Sequence, residues 1–190
     1  MSAEAAIPVP ASVVPDSPSF WREVASTPGG EAVVACIQCN TCTSSCPVEI
    51  LEPAFRIRQV IARVRLGLRE DVLSDPSIWS CVRCYACVAH CPKHVRPGDV
   101  IEAIRHIALE EKREGPGPRH ARAFVESVRE NGRIHEAGVT FDSIGFRGLI
   151  GEGLLPLEMA WRGKSPAIRR RPLKSVREIQ TLLDVVEESE

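Results

Sequence analysis

Cys36-Ile37-Gln38-Cys39-Asn40-Thr41-Cys42-Thr43-Ser44-Ser45-Cys46-Pro47 and Cys81-Val82-Arg83-Cys84-Tyr85-Ala86-Cys87-Val88-Ala89-His90-Cys91-Pro92 are two copies of one spacing, and together they hold all eight cysteines of the chain. In each copy three cysteines fall at C-x₂-C-x₂-C, and a fourth follows four positions on, directly before a proline. Three thiols this close together can line one tight loop. The fourth points away from it, and the proline turns the chain out. A disulfide framework suits an even cysteine count, but it belongs to short secreted chains with a signal peptide. Zinc takes four ligands per site, usually as two C-x₂-C pairs, and a triplet plus a single cysteine fits it poorly. Buried structural cysteines have no reason to repeat at identical spacing.

The remaining reading is iron–sulfur ligation. The C-x₂-C-x₂-C-x₃-C-P run is that of two-cluster ferredoxins, in which three cysteines hold one [4Fe–4S] cube and the fourth ligates the other. On that pattern the first cluster takes Cys36, Cys39, Cys42 and Cys91. The second takes Cys81, Cys84, Cys87 and Cys46.

The chain has 190 residues and a formal net charge of −1, which gives no overall field toward nucleic acid or membrane. Met1 to Pro15 carries no basic residue and no long apolar run, so no secretory signal is expected. The most apolar stretch, Gly148 to Trp161, is interrupted by Glu152, Pro156 and Glu158 and is too broken to cross a bilayer. A cytoplasmic, reducing location is therefore expected, in keeping with free thiolate ligands.

Along the chain, Pro8, Pro10, Pro15 and Pro18 make residues 1–19 an extended arm. Phe20 and Trp21 open a short helix toward Ala25; the two rings serve either as a docking anchor or as a cap on the cluster domain's core. Glu31 to Ala35 forms a short helix into the first cysteine loop. Between the loops, Pro53 marks a helix start and Ala54, Ile57, Ile61, Val64 and Leu68 form its apolar face. Asp75-Pro76 starts another short helix. After Pro92 the order repeats, with Pro97 at the first helical position, Val100, Ile101, Ile104, Ile107 and Ala108 as the buried stripe, and Gly115 as the stop. A third helix, Arg119 to Asn131, offers Ala121, Phe124, Val125 and Val128. Glycines break any period from Arg133 to Gly153, and Leu154 to Trp161 forms a short helix. A basic run from Arg162 to Arg177 precedes a last helix, Val176 to Glu187, capped by Ser175. Its Val176, Ile179, Leu182, Leu183 and Val186 need a partner, in this chain or another.

No glycine-rich phosphate loop, nucleophile elbow or H-E-x-x-H is present. His94, His106, His120 and His135 read as surface or packing residues. Arg83 and His90 differ, because they lie inside the second loop, where a positive charge favours the more negative, reduced cluster. The first loop offers neutral donors, among them Gln38, Asn40 and Thr41. With every thiol spent on a cluster, none remains to attack a disulfide. The basic run lacks interleaved aromatics, which favours a solvated segment or an acidic partner over nucleic acid.

This order, with C-I-Q-C-N-T-C-T-S-S-C-P, a helical linker, the second motif and a helical tail, resembles the C-type subunit of heterodisulfide reductase. The resemblance covers Trp21 to Glu114 by motif and the tail by layout. It implies a mainly α fold, an α-helical ferredoxin with two [4Fe–4S] clusters, that relays electrons between an A-type flavoprotein and a B-type disulfide-handling subunit. A sulfur-oxidising branch of the family is equally compatible. The organisation expected is an arm (1–19), a two-cluster domain (20–115) and a partner-docking helical extension (116–190). The alternative is the iron–sulfur subunit of a respiratory dehydrogenase such as succinate dehydrogenase or fumarate reductase. Such subunits have further cysteines in a [2Fe–2S] domain, and here none precedes Cys36.

Overall fold

A computed structural model describes residues 15–151, 158, 161–163 and 172–189. Most of the expected arm, most of the Leu154–Trp161 segment and the middle of the basic run lie outside the described residues. The described residues are mainly helical, and none of them is in a strand. The chain divides into two compact units, Met1–Arg113 and Glu114–Glu190.

In the first unit, helices α1 (Phe20–Ser26), α2 (Thr41–Ser44), α3 (Ile57–Arg65), α4 (Arg69–Leu73), α5 (Ala86–Ala89) and α6 (Pro97–Glu110) are joined by loops and two 3₁₀ turns, Val33–Ala35 and Pro76–Ser80. The core is built from the apolar stripes of α3 (Ile57, Val60, Ile61, Val64) and α6 (Val100, Ile101, Ile104, Ile107, Ala108), closed by Phe20, Val24, Val33, Phe55, Ile78 and Val95. Each such large side chain contributes roughly 1.5–3 kcal/mol by leaving water. Because Phe20 is fully buried, it serves the core and not a docking surface. Asp75 accepts from the Ser77 amide at 2.8 Å and caps the second 3₁₀ turn, which Pro76 opens.

The internal duplication extends to the backbone. Each 3₁₀ turn delivers its first cysteine in the same extended conformation (Cys36 φ −65°, ψ 120°; Cys81 φ −62°, ψ 120°). Each loop then closes on a one-turn helix, α2 or α5, entered from a left-handed residue. The loops match residue for residue at the interval from Cys36 to Cys81, and the helices α3 and α6 at the shorter interval from Ile57 to Pro97. The extra residues of the first repeat form two turns, Glu52 N–H to Val48 O at 2.8 Å and Phe55 N–H to Glu52 O at 2.9 Å. This corrects the expected helix start. Pro53 and Ala54 are exposed in the second turn, Phe55 enters the core, and the helix begins only at Ile57, after an extended Arg56.

The arm's last residues are tied to this unit. Both Asp16 carboxylate oxygens accept from the first amides of α4, Arg69 N–H at 2.7 Å and Glu70 N–H at 2.8 Å. Those two donors have no partner within the helix, and the contact holds the Asp16 carboxyl below its ordinary value. Arg69 also pairs with Glu23 on α1 and Glu111 beyond α6, and Arg113 pairs with Glu70 at 2.6 Å. One guanidinium thereby links α4 to α1 and to the residue that follows α6.

In the second unit, α7 (Pro116–Asn131) packs against α8 (Glu136–Gly151) and α9 (Val176–Ser189). Gly115 does not stop α6, which ends at Glu110; it precedes Pro116, the first residue of α7. The buried face of α7 is Pro118, Ala123, Ser127 and Asn131, while Phe124 and Val125 are exposed, so the expected stripe is rotated. Polar contacts set this orientation: His120 meets Ser143 of α8 at 2.9 Å, and Ser127 accepts from the His135 amide at 2.8 Å. Residues from Glu136 are helical despite their glycines, with one kink at Gly145 (φ 66°). Each glycine disfavours helix by about 1 kcal/mol, and packing on α7 outweighs it. Gln180 and Asp184 of α9 bind Arg129 of α7 at 3.0 Å each, and Ile179 lies beside Gly132. Part of the last helix's stripe is thus covered within this chain; Leu182, Val185 and Val186 are exposed.

Candidate iron–sulfur centres

Two left-handed residues stand at matching places in each loop: Gln38 (φ 59°) and Asn40 (φ 68°) in the first, Arg83 (φ 52°) and Tyr85 (φ 61°) in the second. Non-glycine residues rarely adopt this conformation, and four of them here mark an imposed backbone shape. Alternating left-handed turns direct successive amides to the inside of a loop, which suits a negatively charged group at its centre.

The structure brings the eight cysteines together in two fours, each drawn from both motifs. Cys36, Cys39, Cys42 and Cys91 line one cavity. Cys46, Cys81, Cys84 and Cys87 line another. Each set surrounds a volume and not a point: among the described residues no three such side chains converge on a single ion. In each loop the middle cysteine of the triplet, Cys39 or Cys84, is exposed and the third, Cys42 or Cys87, is buried.

The electrostatics favour a cationic core held by thiolates. Burial pushes the Cys42, Cys81 and Cys87 thiols up, Cys87 to about 11, with neighbouring cysteines adding to the effect. Buried thiols with raised values lose their protons when iron replaces them. Cys39 moves the other way, because the Thr41 hydroxyl bonds its sulfur at 3.4 Å. Further donors are already aimed at sulfur: Gln38 Nε2 to Cys36 at 3.3 Å and the Val95 amide to Cys91 at 3.4 Å. At Gly98 the backbone passes close to Cys87: a Cβ there would stand 3.6 Å from that sulfur. The residues present fit a [4Fe–4S] cube in each cavity, with four thiolates, inward amides and an apolar wall behind (Ile61 and Val95 in one, Phe55 and Ile57 in the other).

Of the charged residues expected here, Arg83 lines the second cavity, while its guanidinium is bonded to the Tyr85 hydroxyl at 2.8 Å. His90 ends α5, is exposed and does not line that cavity. The expectation that it sits beside the sulfurs is corrected, because its place in the loop is the C-cap, pointing outward. Four basic residues escape the reading of the sequence. Arg58 and Lys93 line the first cavity. Arg65 donates to the Cys36 carbonyl at 2.5 Å, and Arg105 to the Cys81 carbonyl at 2.9 Å. The last pair does carry a signal: they share one position in the two helices of the duplication.

These features define an α-helical protein with two [4Fe–4S] clusters. Residues 35–95 match the 4Fe-4S dicluster domain family. The chain is 33% identical over 136 residues to the C-type subunit of the H(2):CoB-CoM heterodisulfide,ferredoxin reductase of Methanothermobacter thermautotrophicus, covering 72% of this chain and 70% of that one. It is also 33% identical over 110 residues to a C-type iron-sulfur subunit of the CoB--CoM heterodisulfide reductase of Methanocaldococcus jannaschii, 56% of this chain and 58% of that one. A third relative, the C2 subunit of the H(2)/formate:CoB-CoM heterodisulfide,ferredoxin reductase of Methanococcus maripaludis, is 37% identical over 107 residues, 56% of this chain and 49% of that one. The chain belongs to the family of heterodisulfide reductase C-type subunits. It is an iron–sulfur electron-transfer subunit of a larger complex. Among the described residues no helix is long and apolar enough to cross a membrane.

Proposed function

We propose that this chain relays electrons inside a heterodisulfide reductase-like complex, taking them from or giving them to an A-type flavoprotein on one side and a B-type, sulfur-handling subunit on the other. The first cluster is ligated by Cys36, Cys39, Cys42 and Cys91, the second by Cys81, Cys84, Cys87 and Cys46. The observation that carries the reading is the grouping of the cysteines: each cavity takes three sulfurs from one motif and one from the other. That exchange joins two cubes in one small core. The clusters supply reversible one-electron storage. The chain's own residues supply thiolates, amides that stabilise the negative sulfurs, and a hydrophobic core that excludes water.

The inventory argues for a relay and against a substrate site. With eight thiolates committed, no cysteine is left to open a disulfide. Electrons can enter and leave at Cys39 and Cys84, the exposed ligands, each two residues after an exposed apolar side chain, Ile37 or Val82. The second unit, including the exposed part of α9, serves partner docking. Two measurements test this. The purified chain should accept electrons from a strong reductant and pass them to a dye while reducing no heterodisulfide. A pull-down from the native source should bring a flavoprotein and a cysteine-rich partner. Turnover of a disulfide by the isolated chain would overturn the relay.

A further inference from the structure

We propose that Arg105 sets the potential of the cluster held by Cys81, Cys84, Cys87 and Cys46, with Glu102 as its counterweight. The inference rests on the ligand assignment above and extends it to a residue outside both motifs.

Arg105 is largely shielded from water where its counterpart is exposed. Arg65, at the same position of α3, is exposed, whereas the Arg105 side chain is only 11% exposed. Its Nε donates to the Ile78 carbonyl and its Nη2 to the Cys81 carbonyl, both at 2.9 Å. The guanidinium also lies over the Trp79 ring, 5.4 Å from the centroid. One carbonyl of the incoming 3₁₀ turn, that of Cys81 directly after it, and one indole therefore hold this cation against the backbone of a ligand. Charge removed from water is screened least, so its field reaches the sulfurs of the cavity. The burial itself pulls the guanidinium below the ordinary arginine value, and the Cys81 sulfur and Glu102 act to restore it.

Reduction adds one electron to the cluster, supplied by a protein electron donor, and makes the site one charge more negative. A fixed cation beside Cys81 favours that state. Glu102 opposes it. Its carboxylate stands 3.6 Å from Arg105 and 3.5 Å from Arg83, and its Oε2 is buried without a hydrogen bond. Neutralising Arg105 should therefore lower the potential and neutralising Glu102 should raise it. A merely structural clamp would move neither.

The test is a redox titration of the full chain, reconstituted anaerobically and followed by electron paramagnetic resonance, for wild type, R105Q, R105K, E102Q and R65Q. Poised at the wild-type midpoint, R105Q should lose about tenfold in the reduced-to-oxidised ratio of the second cluster, about 59 mV for a one-electron couple. R105K should recover most of it, R65Q should shift less, and E102Q should move the ratio the opposite way. Iron content is measured on the same samples. Wild type without eight irons would sink the ligand assignment and not the tuning role. An R105Q chain that holds both clusters at an unchanged midpoint overturns the proposal. If R105Q fails to hold the second cluster, E102Q decides: the Glu102 side chain is 41% exposed and glutamine is its isostere, so an unchanged midpoint there overturns the proposal as well.

Discussion

Arg65 and Arg105 occupy the same position in two duplicated helices, and each donates to the carbonyl of the first cysteine of its own loop, Cys36 at 2.5 Å and Cys81 at 2.9 Å. Each repeat is therefore a closed unit in which the helix after a loop reaches back to fix where that loop begins. The reach also sorts the charges around the second cluster by how well they are shielded from water.

Arg83 is the less shielded of that cluster's arginines. Its side chain is 46% exposed, and it is shared between Glu102 and the Tyr85 hydroxyl. Arg83→Ala should lower the potential of the second cluster, by less than Arg105→Gln does, because solvent screens an exposed charge. The same titration reads both. No shift for Arg83→Ala would mean that water screens its field completely.

The corner between α3 and α4 depends on Gly67. It has φ +74°, and a Cβ there would lie 2.5 Å from the Ser17 carbonyl oxygen, where the arm crosses. Gly67→Ala should destabilise the first unit by roughly 1–3 kcal/mol, combining left-handed strain with displacement of the arm. Thermal unfolding of the loaded protein measures it, with iron content expected to stay at eight. An unchanged midpoint would show that the arm's contact with Gly67 contributes nothing.

Removal of Ser175 to Glu190 should leave both clusters in place. Helix α9 binds α7 through Gln180, Asp184 and Ile179, all contacts within the second unit, and no cysteine belongs to that unit. The truncated chain should keep its iron and visible spectrum while losing affinity for partner subunits in a pull-down. Loss of iron would show that α9 supports the cluster core.

The sequence carried the cluster region well because its signals are local and chemical. Cysteine spacing, Pro97 at a helix start and the Val100–Ala108 stripe each depend on few neighbours. Where the structure departs from expectation, distant contacts decide the outcome. Phe55 is drawn into the core and delays α3 past Pro53; Ser143 and His135 turn α7 so that Phe124 faces water; packing on α7 keeps α8 helical through its glycines. The two clamping arginines are legible only through the duplication. A lone arginine on a helix carries no such signal, and its carbonyl partner lies 24 or 29 residues away.

The most direct test of the central claim, that the two motifs exchange their fourth ligands, is Cys46→Ala. Cys46 lies in the first motif by sequence but lines the cavity of Cys81, Cys84 and Cys87. The variant, reconstituted anaerobically, should keep the first cluster's spectroscopic signature and lose or alter that of the second. The converse, loss of the first cluster with the second intact, would contradict the account.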